Sequence, residues 1–105
     1  MGYKIIITDK AKEQTESIAA YLYGSLKNTS AVKHFLENLH SLYDRLTDNP
    51  KQFSLCRDYV LKKKGYRKAV FSNMKYCLIF KLAEDENEVY IMGIFHGLEN
   101  YTEKI

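Results

Sequence analysis

Two apolar stripes at helical spacing, separated by a very short break, most constrain what this chain can fold into. In the first, Ala11, Thr15, Ile18, Ala19, Leu22 and Leu26 recur at three- and four-residue steps, while Lys12, Glu13 and Glu16 lie off the stripe. In the second, Val32, Phe35, Leu36, Leu39, Tyr43 and Leu46 do the same. Thr8 or Asp9 can cap the first helix by accepting from its first free N–H groups, and Asn28-Thr29-Ser30 offers three caps for the second. Gly24 weakens the last turn of the first helix. The second ends near Asp48-Asn49, because the residue before Pro50 is pushed out of the α region. Helices joined this closely form an antiparallel hairpin, and both stripes then need a flat apolar surface to cover.

The C-terminal half supplies that surface. Tyr66 to Phe71, Lys75 to Leu82 and Glu88 to His96 are rich in Tyr, Val, Ile and Phe and read as strands. Ser72-Asn73-Met74 makes a short hairpin, with Asn73 best able to take positive φ. Glu84-Asp85-Glu86-Asn87, followed by Glu88, makes a solvated acidic loop that discourages edge pairing. Tyr3 to Thr8 is a further short β-branched strand, and residues 98–105 read as one helical turn or a loose tail. Helices and strands in separate blocks define an α+β fold. The expectation is an N-terminal strand and two-helix hairpin packed on a twisted antiparallel β-sheet, in one domain over residues 1–105.

Composition excludes several classes. No run approaches about 18 consecutive apolar residues, so no membrane span is expected. Ile5-Ile6-Ile7 is too short, and too soon followed by Asp9 and Lys10, for a signal peptide. Cys56 and Cys77 read as two reduced thiols of a cytoplasmic protein. With no Cys-x-x-Cys or His-x-x-x-His spacing, neither a metal site nor a cofactor is expected.

Charge is localised. Residues 57–68 carry Arg57, Lys62, Lys63, Lys64, Arg67 and Lys68 against Asp58, so their net charge is 6 − 1 = +5. The whole chain is +3, which leaves −2 for everything else. A concentrated patch where Gly65 should turn into a hairpin points to a polyanionic or acidic partner.

Taken in order, several short pieces resemble the RelE/ParE superfamily of toxins from bacterial type II toxin–antitoxin systems. They are Tyr3-Lys4-Ile5-Ile6-Ile7-Thr8 with Ala11 following, Ser30-Ala31, Leu46 through Asn49-Pro50, Gly65-Tyr66-Arg67-Lys68, Tyr76-Cys77-Leu78-Ile79-Phe80, Val89-Tyr90-Ile91, and Ile94-Phe95-His96-Gly97 with Asn100-Tyr101. No single piece is specific; their order and spacing are. The resemblance implies a small toxin held inactive by a cognate antitoxin in a toxin–antitoxin hetero-oligomer. RelE-like members cut mRNA in the ribosome, whereas ParE-like members poison DNA gyrase. A third reading is a degenerate, non-toxic module that only engages the antitoxin. Ribonuclease members usually carry an arginine just ahead of a Leu-Val-Tyr-like triplet, and here Cys77 stands before Leu78-Ile79-Phe80. That departure tilts the expectation towards gyrase poisoning.

If the chain were a metal-independent endoribonuclease, Arg67, His96 and Tyr101 would be its catalytic candidates. Arginine can clamp a phosphate bidentately. Histidine titrates near neutrality and so can act as a general base. Tyrosine can stack a base or hold a proton position. Each has a plainer alternative: a solvated strand arginine, a structural histidine at a strand end, a packing tyrosine among nine. Arg57, Lys62, Lys63, Lys64, Arg67 and Lys68 are the candidates for contacting the target or a nucleic acid, against the alternative of a solvated loop. His34 and His40, six apart on one helix, do not share a face. Tyr21, Leu22 and Tyr23 belong either to the core or to a groove that takes an antitoxin helix.

Overall fold

The structure, a computed structural model, describes residues 2–25 and 27–97. Strand β1 (Lys4–Ile7) leads through Thr8 into helix α1 (Asp9–Ala20). Thr8 is the cap: its Oγ1 accepts from the Ala11 N–H at 3.3 Å and donates to the Ile91 carbonyl at 2.6 Å, so one hydroxyl starts the helix and anchors it to the sheet. A π-helical turn (Tyr21–Ser25) follows, then helix α2 (Thr29–Asp48). Of the three candidate caps Asn28 serves, its Oδ1 accepting from the Ala31 N–H at 3.0 Å. After a 3₁₀ turn (Pro50–Gln52) come a short helix α3 (Tyr59–Lys63), strand β2 (Tyr66–Val70), strand β3 (Tyr76–Ala83), a 3₁₀ turn (Glu84–Glu86) and strand β4 (Glu88–His96). Asn73 takes φ 58° in the β2–β3 hairpin, as its position suggested, and Asn87 takes φ 53° before β4.

The sheet order is β1-β4-β3-β2. Strands β2, β3 and β4 form an antiparallel meander. Strand β1 lies at the edge beside β4 and runs parallel to it, Ile5 opposite Val89 and Ile7 opposite Ile91. The sheet is therefore mixed at this edge, because the helical hairpin carries the chain away from β1 and the meander returns it.

Both faces of the sheet are covered. On one, Leu78, Phe80, Val89, Ile91 and Ile94 pack with Ala11, Leu22, Phe35, Leu39, Leu42 and Leu46 of the helices. On the other, Cys77, Ile79 and Phe95 pack under Cys56 and Leu61. Consequently Cys77 to Phe80 are all buried, although alternate residues point to opposite faces. Helix α3 was not anticipated from sequence. Asp58 caps it, accepting from the Leu61 N–H at 3.1 Å, and Leu61 is the residue it buries.

A bulge redirects β4. Ile79 pairs with Gly93 and Phe80 with Ile91, so Met92 is the extra residue. Before it, Val89 and Ile91 face the helices; after it, Ile94 does, with His96 two residues on. Beyond the reach of β1, α1 serves the edge of β4, where Gln14 Oε1 accepts from the Ile94 N–H at 2.9 Å. This close approach needs a glycine: a Cβ on Gly93 would stand 2.5 Å from the Phe95 ring and 2.8 Å from Gln14 Oε1.

The buried stripe of α2 is Phe35, Leu39, Leu42 and Leu46, not the set read from sequence. Leu36 is 37% exposed and Val32 only half-buried. Leu36 follows Phe35 by one residue, which rotates it about 100° away from the sheet. Phe35→Ala is expected to cost about 3–5 kcal/mol, and Leu36→Ala about 0.5 kcal/mol or less, measured by urea unfolding. Burial also pushes the Tyr43 phenol up from 10.0 to about 12. The folded value lies above the unfolded one, so this contribution is complete below pH 10 and is lost as pH rises towards 12. Stability should therefore decline above about pH 10, and Tyr43→Phe should flatten that part of the decline.

Candidate functional site

The basic segment folds into three pieces with different surroundings. Arg57 precedes α3; Lys62 and Lys63 lie in its last turn and Lys64 caps it, and all four are exposed. The cationic last turn is favourable against the helix dipole. Arg67 and Lys68 are half-buried on β2. Adjacent strand residues point to opposite faces, so the pleat parts them. Arg67 stands opposite Phe80 on the helix-covered side, and Lys68 opposite Ile79 on the other.

Arg67 is tied into the fold. Its Nη1 donates to the Phe53 carbonyl at 2.6 Å. Beside it, residues 54–56 extend the sheet: the Lys68 N–H donates to the Ser54 carbonyl at 3.1 Å, and the Cys56 N–H to the Tyr66 carbonyl at 2.9 Å. His96 stands opposite Tyr76 at the far end of β4, its ring edge-to-face against the Tyr76 ring at 5.5 Å between centroids. Two strand spacings and four residues along the strands separate Arg67 from His96, about 16 Å between Cα atoms. The structure does not bring these two together, and Tyr101 lies outside the described residues.

Cys77, where the superfamily resemblance would put an arginine, is buried in the cluster under α3. Its neighbour Cys56 has its thiol pushed up by burial, which outweighs the opposing pull of Lys68. A buried thiol held in its neutral form is a packing group rather than a nucleophile.

Two shallow cavities flank the β2 edge. One, of about 540 Å³, is lined by Arg45, Arg57 and Lys68 together with Phe53, Leu55 and Val70. The other, of about 300 Å³, is lined by Lys68, Val70, Met74, Lys75, Tyr76, Cys77 and Gly97. Arg45 is the cation that sequence reasoning missed. It stacks over the Phe53 ring at 4.6 Å and donates through Nε and Nη2 to Gln52 Oε1 at 3.1 and 2.9 Å. It comes from α2, and only the turn at Pro50 folds it back beside Arg57, so no spacing could have paired them. Tyr21 and Tyr23 are exposed whereas Leu22 is buried, so of that trio only Leu22 is core. Among the described residues no group of three or more His, Cys, Asp or Glu is disposed to hold a metal ion. Nor is any helix long and apolar enough to cross a membrane.

A helical hairpin on one face of a four-stranded sheet, here with a basic segment on the β2 side, recurs in solved structures from toxin–antitoxin systems. The chain superposes on a chain of the chromosomal ParDE system from Pseudomonas aeruginosa with a TM-score of 0.71, at 15% identity over 90% of this chain and 95% of that one. It matches the E. coli toxin RelE, as a double arginine mutant in the free state, with a TM-score of 0.67 at 10% identity, over 99% and 93% of the two chains. A chain of the RelBE2 toxin–antitoxin complex from Mycobacterium tuberculosis gives 0.52 at 12% identity, over 91% and 99%. Sequence comparison with curated proteins yields no match. These likenesses define a RelE/ParE-type fold. The family is settled by sequence: residues 5–101 match the model of the ParE toxin of type II toxin–antitoxin systems, and the chain belongs to that family. It is the toxin half of such a pair, with a cognate antitoxin as its partner.

Because the Arg67 guanidinium is bonded to a main-chain carbonyl, Arg67→Ala is expected to lose about 1.5–3 kcal/mol of stability. Arg67→Lys should recover only part of it, since an ammonium lacks the planar fork. Thermal melting of the two variants checks this.

Proposed function

We propose that this toxin arrests growth by contacting DNA gyrase rather than by cutting mRNA. The observation that carries the reading is the separation of Arg67 from His96. Metal-independent RNA cleavage needs a base, an acid and a phosphate clamp on one scissile bond, with reacting atoms at about 3–3.5 Å. Here the guanidinium of the candidate clamp is held by the Phe53 carbonyl, and the candidate base, whose Cα lies about 16 Å from that of Arg67, has its ring against Tyr76. Cys77 in place of an arginine, and membership of the ParE family, support the same reading. Poisoning by contact needs surface complementarity spread over several residues and no indispensable proton-transfer group.

A second reading, a ribosome-dependent endoribonuclease, draws on one feature: Lys68, Lys75 and Tyr76 line a cavity that reaches Gly97, beside His96. Induced expression with separate readouts of DNA damage response and mRNA cleavage decides between them. Gyrase poisoning raises the first alone, ribosomal cleavage the second, and a degenerate module neither. On the proposed reading His96→Ala stays toxic. Loss of a general base would instead lower a cleavage rate about 10²–10⁴-fold. Abolished toxicity in His96→Ala at unchanged melting temperature and antitoxin affinity, together with cleaved mRNA from the wild type, would refute gyrase as the target.

A further inference from the structure

We infer that α3 and its flanks bind single-stranded nucleic acid, with Tyr59 stacking on an unpaired base and Arg57, Lys62, Lys63 and Lys64 holding the phosphates. The inference deepens the gyrase reading by giving the toxin a contact with the nucleic acid its target handles. Binding is measured without gyrase, so either reading can fail alone.

Three observations converge on this surface. The first is unneutralised charge. Arg57, Lys62, Lys63 and Lys64 are all exposed. Asp58, the acid among them, is half-buried and caps α3, its Oδ1 accepting from the Leu61 N–H at 3.1 Å. Among the described residues the ion pairs are Lys33–Glu37 and Lys51–Glu84, and neither touches the patch. Four cations within eight residues, none in an ion pair among the described residues, are an electrostatic footprint for phosphates.

The second is an aromatic placed for contact. Tyr59 is 74% exposed on the first turn of α3, and the Lys63 ammonium lies 5.9 Å from its ring centroid. An aromatic ring held beside cations is the arrangement that stacks unpaired bases while the backbone is tracked electrostatically. The third is rigidity. Leu61 is buried against the underside of the sheet with Cys56, Ile79 and Phe95, and Asp58 caps the helix, so the cations and Tyr59 ride on a fixed platform. Val60, 49% exposed, is the aliphatic group α3 itself presents, while Leu55 and Val70 line the adjoining cleft along β2, which Arg57 also borders.

The test uses the full-length toxin freed of antitoxin and a fluorescently labelled 15-nucleotide single-stranded DNA, with RNA and duplex DNA of the same sequence as further arms. Anisotropy is followed between about 50 and 200 mM salt. The wild type should bind single strands more tightly than duplex, with log affinity falling against log salt at a slope of about −2 to −3 for three or four phosphates. Lys63→Gln with Lys64→Gln should flatten the slope by about 1.4. Tyr59→Ala should weaken single-strand binding about ten-fold and leave the salt slope unchanged. Lys33→Gln, on α2, should change neither, and all variants should melt with the wild type. Comparing the DNA and RNA arms tells which nucleic acid the surface prefers. The inference is overturned if no oligonucleotide binds at about 50 mM salt, if Tyr59→Ala binds like the wild type, or if Lys33→Gln weakens binding as much as the α3 lysine pair. Absence of oligonucleotide binding, with antitoxin affinity lost in the Lys63/Lys64 variant, would assign the surface to an acidic protein instead.

Discussion

Strand β3 is the member on which the rest of the structure depends. Cys77, Leu78, Ile79 and Phe80 are four consecutive buried residues, two for each face of the sheet. Each large side chain among them contributes about 1.5–3 kcal/mol by leaving water. That burial is complete only if both faces are covered. The helical hairpin covers one. The other is covered by Cys56 and Leu61, and the need for that second cover is the reason α3 exists where it does. The basic surface is therefore a by-product of packing: Leu61 points down, and at helical spacing its neighbours must point out.

The same logic explains why the basic segment is not one patch. A helix gathers charges that are near in sequence on its outer side, whereas a strand parts them. Lys62, Lys63 and Lys64 stay together on α3, while Arg67 and Lys68 are sent to opposite faces of β2. Arg67 is then drawn into the fold by the Phe53 carbonyl, and Lys68 joins Arg57 and Arg45 along a cleft. On the proposed reading the toxin works by contact and needs surfaces of this kind rather than a converged catalytic set. The aliphatic groups Leu55 and Val70 share their cleft with Arg57 and Lys68, so apolar and cationic contacts lie side by side from β2 to α3.

The bulge at Met92 shows how one inserted residue changes what a strand presents. Counting by twos puts His96 on a face with Met92 and Tyr90. In the structure His96 follows Ile94 towards the helices, while Met92 packs in the opposite cluster and the Tyr90 hydroxyl donates to Glu88. Gly93 lets α1 approach at that point, and Gln14 replaces the hydrogen bond that β1 is too short to make.

Much of the architecture was legible in the residues. Local signals determine local structure: the caps at Thr8 and Asn28, the stop before Pro50, the positive φ of Asn73 and the β-branched strands depend on neighbours in sequence and could be read there. So could the α+β class, because two one-sided helices and three apolar strands have few ways to cover one another. What sequence alone left undecided involves pairs far apart in the chain. The parallel placement of β1 beside β4, the burial of Leu42 in preference to Leu36, and the arrival of Arg45 beside Arg57 each depend on where a distant element packs. A helical stripe read by spacing is uncertain by about one residue, and only the sheet beneath it decides which edge is sealed. Charge shows the same division. The sequence determined that residues 57–68 carry +5. Only the tertiary structure decided which of those cations face solvent, which one the fold consumes, and that Arg67 and His96 stand two strands and four residues apart, because the pleat and the strand order set the direction of every side chain.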